Sequence, residues 1–124
     1  MSTDHMAASR AALHHVWTLT GGDPAALDRV RLTGLAPLLP SSFRVGSLAQ
    51  ASIAAAGLAA AECHRIATGR DQSVSVDMRH AEVEFRSERY MRIVGAEPPP
   101  MWNPIAGVYQ TGDGRFVRLH TNFP

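Results

Sequence analysis

The sequence predicts an α/β chain, helix-rich with a short strand and a carboxy-terminal β-hairpin, and three observations predict it. An alanine-rich run from Ser47 to Thr68 ends at Gly69, the start and stop pattern of a long helix. Ser73-Val74-Ser75-Val76 alternates polar and apolar side chains at period two, the repeat of a half-buried strand. Apolar arms around Val108-Tyr109 and Phe116-Val117-Leu119 flank Thr111-Gly112-Asp113-Gly114, where Asp-Gly supplies the positive φ angles of a tight turn.

The first helix is expected over about Asp4 to Thr18. Ser2, Thr3 or Asp4 can cap it, Met6, Leu13, Val16 and Trp17 give an incomplete apolar face, and Gly21-Gly22 ends it. Asp23 as N-cap and Pro24 at the first helical position, where the missing N–H has no partner to lose, predict a short helix through Arg31 with Leu27 and Val30 inward. Thr33 to Arg44 contains Gly34, Pro37 and Pro40 and reads as an extended connector, packed down through Leu35, Leu38, Leu39 and Phe43.

At Ser47, Ser-Leu-Ala-Gln has capping-box spacing, in which Ser47 and Gln50 satisfy exposed amides reciprocally, and Gly69 is the left-handed stop. Ala49, Ala51, Ala54, Ala55, Ala56, Gly57, Ala59, Ala60 and Ala61 make this helix smooth almost all round, which predicts close backbone approach inside an assembly. Beyond the strand, Asp77 caps a helix expected over about Met78 to Val94 and closed by Gly95. Its pairs Glu82/Arg86 and Glu88/Arg92 stand four apart with the acid first, worth roughly 0.2–0.5 kcal/mol each.

Composition excludes several classes. With 124 residues, 45% hydrophobic, the chain is one domain of ordinary size and not wholly disordered. Twelve basic and eleven acidic side chains leave a formal charge of +1, so no large field holds nucleic acid or an anionic membrane. All twelve bases are Arg, first a codon habit of a GC-rich genome and second a supply of rigid guanidinium forks. The most apolar stretch, Leu48 to Ala61, is interrupted by Gln50 and Ser52 and is shorter than the roughly 20 residues of a bilayer crossing. Met1 to Ala8 lacks the basic-then-apolar order of a secretory signal, and the lone Cys63 fits a reducing compartment. A soluble, cytoplasmic protein is expected.

No catalytic constellation is visible from the residues alone. The six histidines, His5, His14, His15, His64, His80 and His120, show no metal-ligand spacing, so no metal is expected. Cys63 inside the alanine-rich helix reads as a small buried hydrophobe. Gly112-Asp113-Gly114 lies between strands and is a turn, not a phosphate loop. Arg79, Arg86, Arg89 and Arg92 are interleaved with acids, the pattern of an ion-paired or subunit-facing surface more than of a nucleic-acid contact. Trp102, among prolines, reads as a packing anchor.

From Gly57 to Asn122, however, the order of elements resembles the class III CoA-transferases, a superfamily that includes carnitine and bile-acid CoA-transferases. The resemblance rests on Gly57-Leu58-Ala59-Ala60-Ala61, Thr68-Gly69-Arg70-Asp71-Gln72, Val74-Ser75-Val76-Asp77 and Ala106-Gly107-Val108-Tyr109-Gln110-Thr111-Gly112-Asp113-Gly114-Arg115, in that order. It implies part of a Rossmann-like α/β body in an interlocked dimer, with a coenzyme A thioester as substrate, no tightly bound cofactor, and transfer of CoA between acyl-CoA and carboxylic acids. The family's nucleophile is an aspartate about ten residues before the Gly-Leu pair. Ser47 occupies that place here, and a hydroxyl cannot form the acyl anhydride that a carboxylate forms on attacking a thioester.

The residues from Met1 to Phe43 also differ from the family's opening strand and CoA-binding segment. The expected organisation is therefore a helical segment and proline-rich connector over residues 1–45, followed by a partial CoA-transferase-like domain over 46–124. The resemblance implies substrate contact at Ser47, whose helix-start amides suit a carboxylate or phosphate, and at Met78. The chain is expected to be the leading piece of a longer protein, inactive alone, whose partners are a second copy or the remainder of the same chain. The alternative is a non-catalytic dimerisation or interaction module derived from that fold.

Overall fold

The computed structural model describes residues 2–35, 38–97 and 103–121, and the chain divides into two compact units, residues 1–87 and 88–124. Pro37, read from the sequence as part of the extended connector, and Trp102, read as a packing anchor, lie outside the described residues, as do residues 98–101 and 122–124. It is a mixed α/β chain, about half helical, with a few short strands.

The first unit begins with α1 (Ser2–Leu19). Leu13 and Trp17 are buried at one face, flanked by Met6 and Val16, so the incomplete stripe is enough to seat the helix. The Trp17 indole Nε1–H donates to the Asp23 carbonyl at 2.9 Å and ties the end of α1 to the cap of the next helix. Asp23 caps as expected, accepting the Ala25 amide at 3.0 Å, and Pro24 opens a 3-10 helix. That helix does not reach Arg31. It ends at Arg29, Val30 turns extended, and Val30–Thr33 forms β1 with Val30 and Leu32 buried and Arg31 exposed. Four residues are too few for their period-two pattern to outweigh the helix signals before them.

After the connector comes α2 (Val45–Thr68), the crossover that returns the chain to β2 (Val74–Asp77). The two strands pair in parallel, Val30 opposite Val74 and Thr33 opposite Asp77. Parallel strands need a long crossover, and α2 supplies it. Its inner face buries Ala49, Ala51, Ala54, Leu58 and Ala61 against α1, the strands and the next helix, while Ala56, Ala59, Ala60 and Ile66 stay exposed. Gly69 ends it at φ 72°, its N–H reaching the Arg65 carbonyl at 2.7 Å, the stop the sequence predicts. Cys63 is exposed, not buried, because it falls on the outer side of this helix.

Asp77 caps α3 (Met78–Glu84), accepting the Arg79 amide at 3.0 Å. The single helix expected to Val94 is instead broken. Phe85 closes α3, Arg86 N–H bonds Val83 O at 3.0 Å, and one turn, α4 (Ser87–Tyr90), comes after it. The reason lies in the side chains: Phe85, Tyr90, Met91 and Ile93 make no continuous stripe and remain exposed, so no buried face carries the helix onward.

In the second unit, β3 (Gly107–Gln110) and β4 (Phe116–Leu119) form the expected antiparallel hairpin, with Gln110 opposite Phe116. The turn is a five-residue loop closed by Thr111 N–H to Arg115 O at 2.8 Å and Gly114 N–H to Thr111 O at 2.9 Å. Of the expected Asp-Gly pair only Gly114 takes positive φ, 79°. Asp113 contributes through its carboxylate, which accepts the Thr111 hydroxyl and the Arg115 amide. No described helix is long and apolar enough to cross a membrane.

Candidate functional site

The chemistry in the first unit gathers at the start of α2. Because α2 is a crossover helix, its first turns return beside the carboxyl ends of β1 and β2, the side of an α/β sheet on which ligands bind. Gln50 marks that position. Its Nε2 donates to the Thr33 carbonyl at 2.8 Å and to the Val76 carbonyl at 2.9 Å, one from each strand end. Gln50 therefore does not close a capping box. It is fully buried, its Oε1 has no hydrogen-bond partner, and its amide joins helix to sheet.

The cap is displaced as well. α2 starts at Val45, two residues before Ser47, and Arg44 at the N-cap position gives no side-chain cap. Leu48 N–H to Arg44 O, 3.1 Å, is the first bond of the ladder, so the amides of Val45, Gly46 and Ser47 precede it. Ser47 lies in the first turn, 3% exposed, and its hydroxyl donates to the His5 carbonyl at 3.3 Å. Met78, at the start of α3, is wholly buried. Its Cβ is 3.1 Å from where a Cβ on Gly34 would stand, which packs it against the end of β1.

A carboxylate reaches the start of α2 from another element. Glu82 of α3 is 4% exposed, and its Oε2 accepts the Leu38 and Leu39 amides at 2.8 and 2.9 Å. The other oxygen, Oε1, stands against Gly46 so closely that an added Cβ there would lie 2.0 Å from it. Only glycine leaves room for this approach. A buried carboxylate costs heavily unless hydrogen-bonded, and two consecutive amides of the connector supply those bonds.

Beside Glu82 opens a cavity of about 120 Å³ lined by Arg44, Val45 and Gly46 of the α2 start, by Leu39, Pro40, Ser41 and Phe43 of the connector, by Arg86 after α3, and by His5 of α1. Its lining mixes apolar side chains with two arginines. Ser47 and Met78 are not among its lining residues. The sequence did not bring out Glu82, Arg44, Arg86 or His5 as a group. A signal for Glu82 was present: it stands four residues after Met78 and one after Ala81, both buried, so the period of α3 puts a carboxylate on the inward stripe.

The neighbouring strand end is polar too. The Thr33 hydroxyl donates to Asp77 Oδ2 at 3.0 Å, and this bond, followed by the Arg79 amide, holds the Asp77 carboxyl below its ordinary range. Far from the cavity, Glu62 of α2 is held by Arg65, with contacts of 3.0–3.2 Å, and by Arg29, whose Nη1 also reaches Asp71 Oδ1 at 2.9 Å. The Arg65 hydrogen bonds, then those of Arg29, lower the Glu62 pKa to about 2. These charges fasten the 3-10 helix and the loop after Gly69 to α2. No group of three or more His, Cys, Asp and Glu that could hold a metal occurs among the described residues. No family model, curated protein or solved structure matches the chain.

Proposed function

We propose that the chain is part of a class III CoA-transferase-like protein, cytoplasmic, that moves CoA between acyl-CoA thioesters and carboxylic acids, and that this piece is inactive alone. The observation that carries the reading is the parallel β1–α2–β2 unit with a cavity at the start of its alanine-rich helix, where ligand sites of α/β bodies lie. Gly57, from the resembling motif, adds support: a Cβ there would be 3.0 Å from Val74 Cγ1, so the small residue lets helix and strand pack closely. Ser47 in the nucleophile's place supports the lack of independent activity, since its buried hydroxyl is bonded to a backbone carbonyl and no anhydride forms on it. Coenzyme A enters as a substrate thioester. The test is to read the gene past the Pro124 codon and assay the longer product with a labelled acyl-CoA and an acid acceptor. Transfer is expected. A stop codon at that point, with a folded product that moves no CoA, removes the reading.

A second reading, a non-catalytic association module, is favoured by the exposed strip Ala56, Ala59 and Ala60 on α2, which lets another backbone approach. Light scattering distinguishes it: this reading requires a defined oligomer, and a monodisperse monomer ends it.

A further inference from the structure

We propose that residues 38–43 form a strap, latched by the Glu82 carboxylate, that lifts while the rest of the first unit stays folded and so opens the cavity at the start of α2. The inference stands apart from the acyl-transfer reading. The sequence predicts a connector packed down through Leu35, Leu38, Leu39 and Phe43, and the structure corrects that expectation. Leu35, Leu38 and Phe43 are 72%, 45% and 81% exposed, and Leu39 alone of the four is half-buried. No residue from 38 to 43 belongs to the buried apolar core. The bonds that fasten the strap's backbone to α3 are made to a charge: Glu82 Oε2 accepts the Leu38 and Leu39 amides at 2.8 and 2.9 Å. Farther along, Phe43 N–H to Ser41 Oγ, 3.1 Å, is internal to the strap.

The elements on either side hold without the strap. Thr33, at the end of β1, gives its carbonyl to Gln50 Nε2 and its hydroxyl to Asp77, while α2 is seated by its own buried alanines and Leu58. A segment with few buried apolar contacts opens at lower free energy than the core it crosses. Because two consecutive amides share one carboxylate oxygen, both bonds are lost in a single opening. Lifting the strap takes away four of the residues that line the cavity, Leu39, Pro40, Ser41 and Phe43, and uncovers Gly46 and Glu82, which are buried behind them. Lids over binding sites are drawn from such low-stability segments.

The experiment is native-state hydrogen exchange of the full 124-residue chain, read by NMR in rising urea below the unfolding transition. The Leu38 and Leu39 amides should be protected about a hundredfold less than the amide of Leu58 in the middle of α2, and their exchange should be nearly independent of urea, because lifting the strap exposes little surface. Leu58 exchange should rise steeply with urea. In Glu82→Gln, which keeps the shape and loses the charge, Leu38 and Leu39 should exchange about tenfold faster, still without urea dependence and with the helical circular dichroism retained. The urea slopes of the unaltered chain decide the matter even where the variant does not fold. Leu38 and Leu39 sharing the slope and protection of Leu58 overturns the proposal, since the strap would then open only by unfolding. Exchange of the two amides at the unprotected rate overturns it as well, and so does unchanged exchange in a folded Glu82→Gln, because either result means that Glu82 is no latch.

Discussion

The two units of the chain stabilise themselves by different means. In the first, residues 1–87, buried apolar side chains from α1, β1, α2, β2 and α3 meet in one core, and buried polar groups are clamped across elements by Gln50 and Glu82. In the second, residues 88–124, none of the described side chains is buried. Val108, Tyr109, Phe116, Val117 and Leu119 are apolar yet exposed, and order rests on a ladder of four residue pairs and a turn. A lone two-stranded hairpin is marginal in water. The contrast teaches that the same residue classes give a packed body only where a helix covers the sheet.

The comparison breaks first at the core. Leu58 is fully buried in the middle of α2, and Leu58→Ala should destabilise the first unit by about 2–5 kcal/mol through lost burial and a residual cavity. Urea unfolding read by helical circular dichroism checks this, and a loss below about 1 kcal/mol would show that the core is not organised around α2. A smaller effect is expected at the clamps. Gly46→Ala drives a methyl into Glu82 Oε1, so the carboxylate must leave the Leu38 and Leu39 amides, at about 1–3 kcal/mol for buried polar groups left unpaired. Hydrogen exchange at those two amides should quicken in the variant.

Gln50→Ala tests the other clamp. It strips Nε2 from two strand-end carbonyls but also removes an Oε1 that has no partner, so the expected loss is the lesser, about 1–2 kcal/mol.

These clamps also mark where reading the sequence ran out. Local signals were sufficient where the deciding partner is a near neighbour: Asp23 and Asp77 cap, Gly69 stops α2, and Gly114 turns the hairpin. They failed where a distant residue decided. Ser47 and Gln50 had capping-box spacing, but carbonyls 17 and 26 residues away drew the Gln50 amide, and His5 drew the Ser47 hydroxyl. Glu82 looked like half of a surface pair with Arg86, yet the connector's amides, 43 and 44 residues distant, make its burial possible. The cavity was illegible for the same reason, since its walls come from α2, the connector and the segment after α3.

In the second unit the turn should matter more than any side-chain packing. Gly114→Ala places a Cβ at φ 79°, a left-handed conformation that costs an L-residue about 1–2 kcal/mol. In a hairpin with no buried side chain that is enough to lose the ladder, and the Tyr109 and Val117 amides, which face each other as a hydrogen-bonded pair, should lose what protection from exchange they have. Unchanged protection would mean that the strands are held by more than their own turn.

The smallest effect is electrostatic and belongs to the first unit. Glu62 titrates near 4.5 in an unconstrained chain and at about 2 when folded, because Arg65 and then Arg29 favour its charged form. A carboxyl whose folded pKa is lowered binds its proton more readily unfolded, so the contribution is complete above about 4.5, declines as pH falls, and is gone below about 2. Glu62→Gln removes the titrating group. Melting temperatures of the two proteins should therefore differ by a constant amount above pH 4.5 and converge towards pH 2, with the gap narrowing in salt because the ion pairs are partly exposed. A gap that persisted unchanged to pH 2 would assign the effect of Glu62 to packing along α2 instead of to its charge.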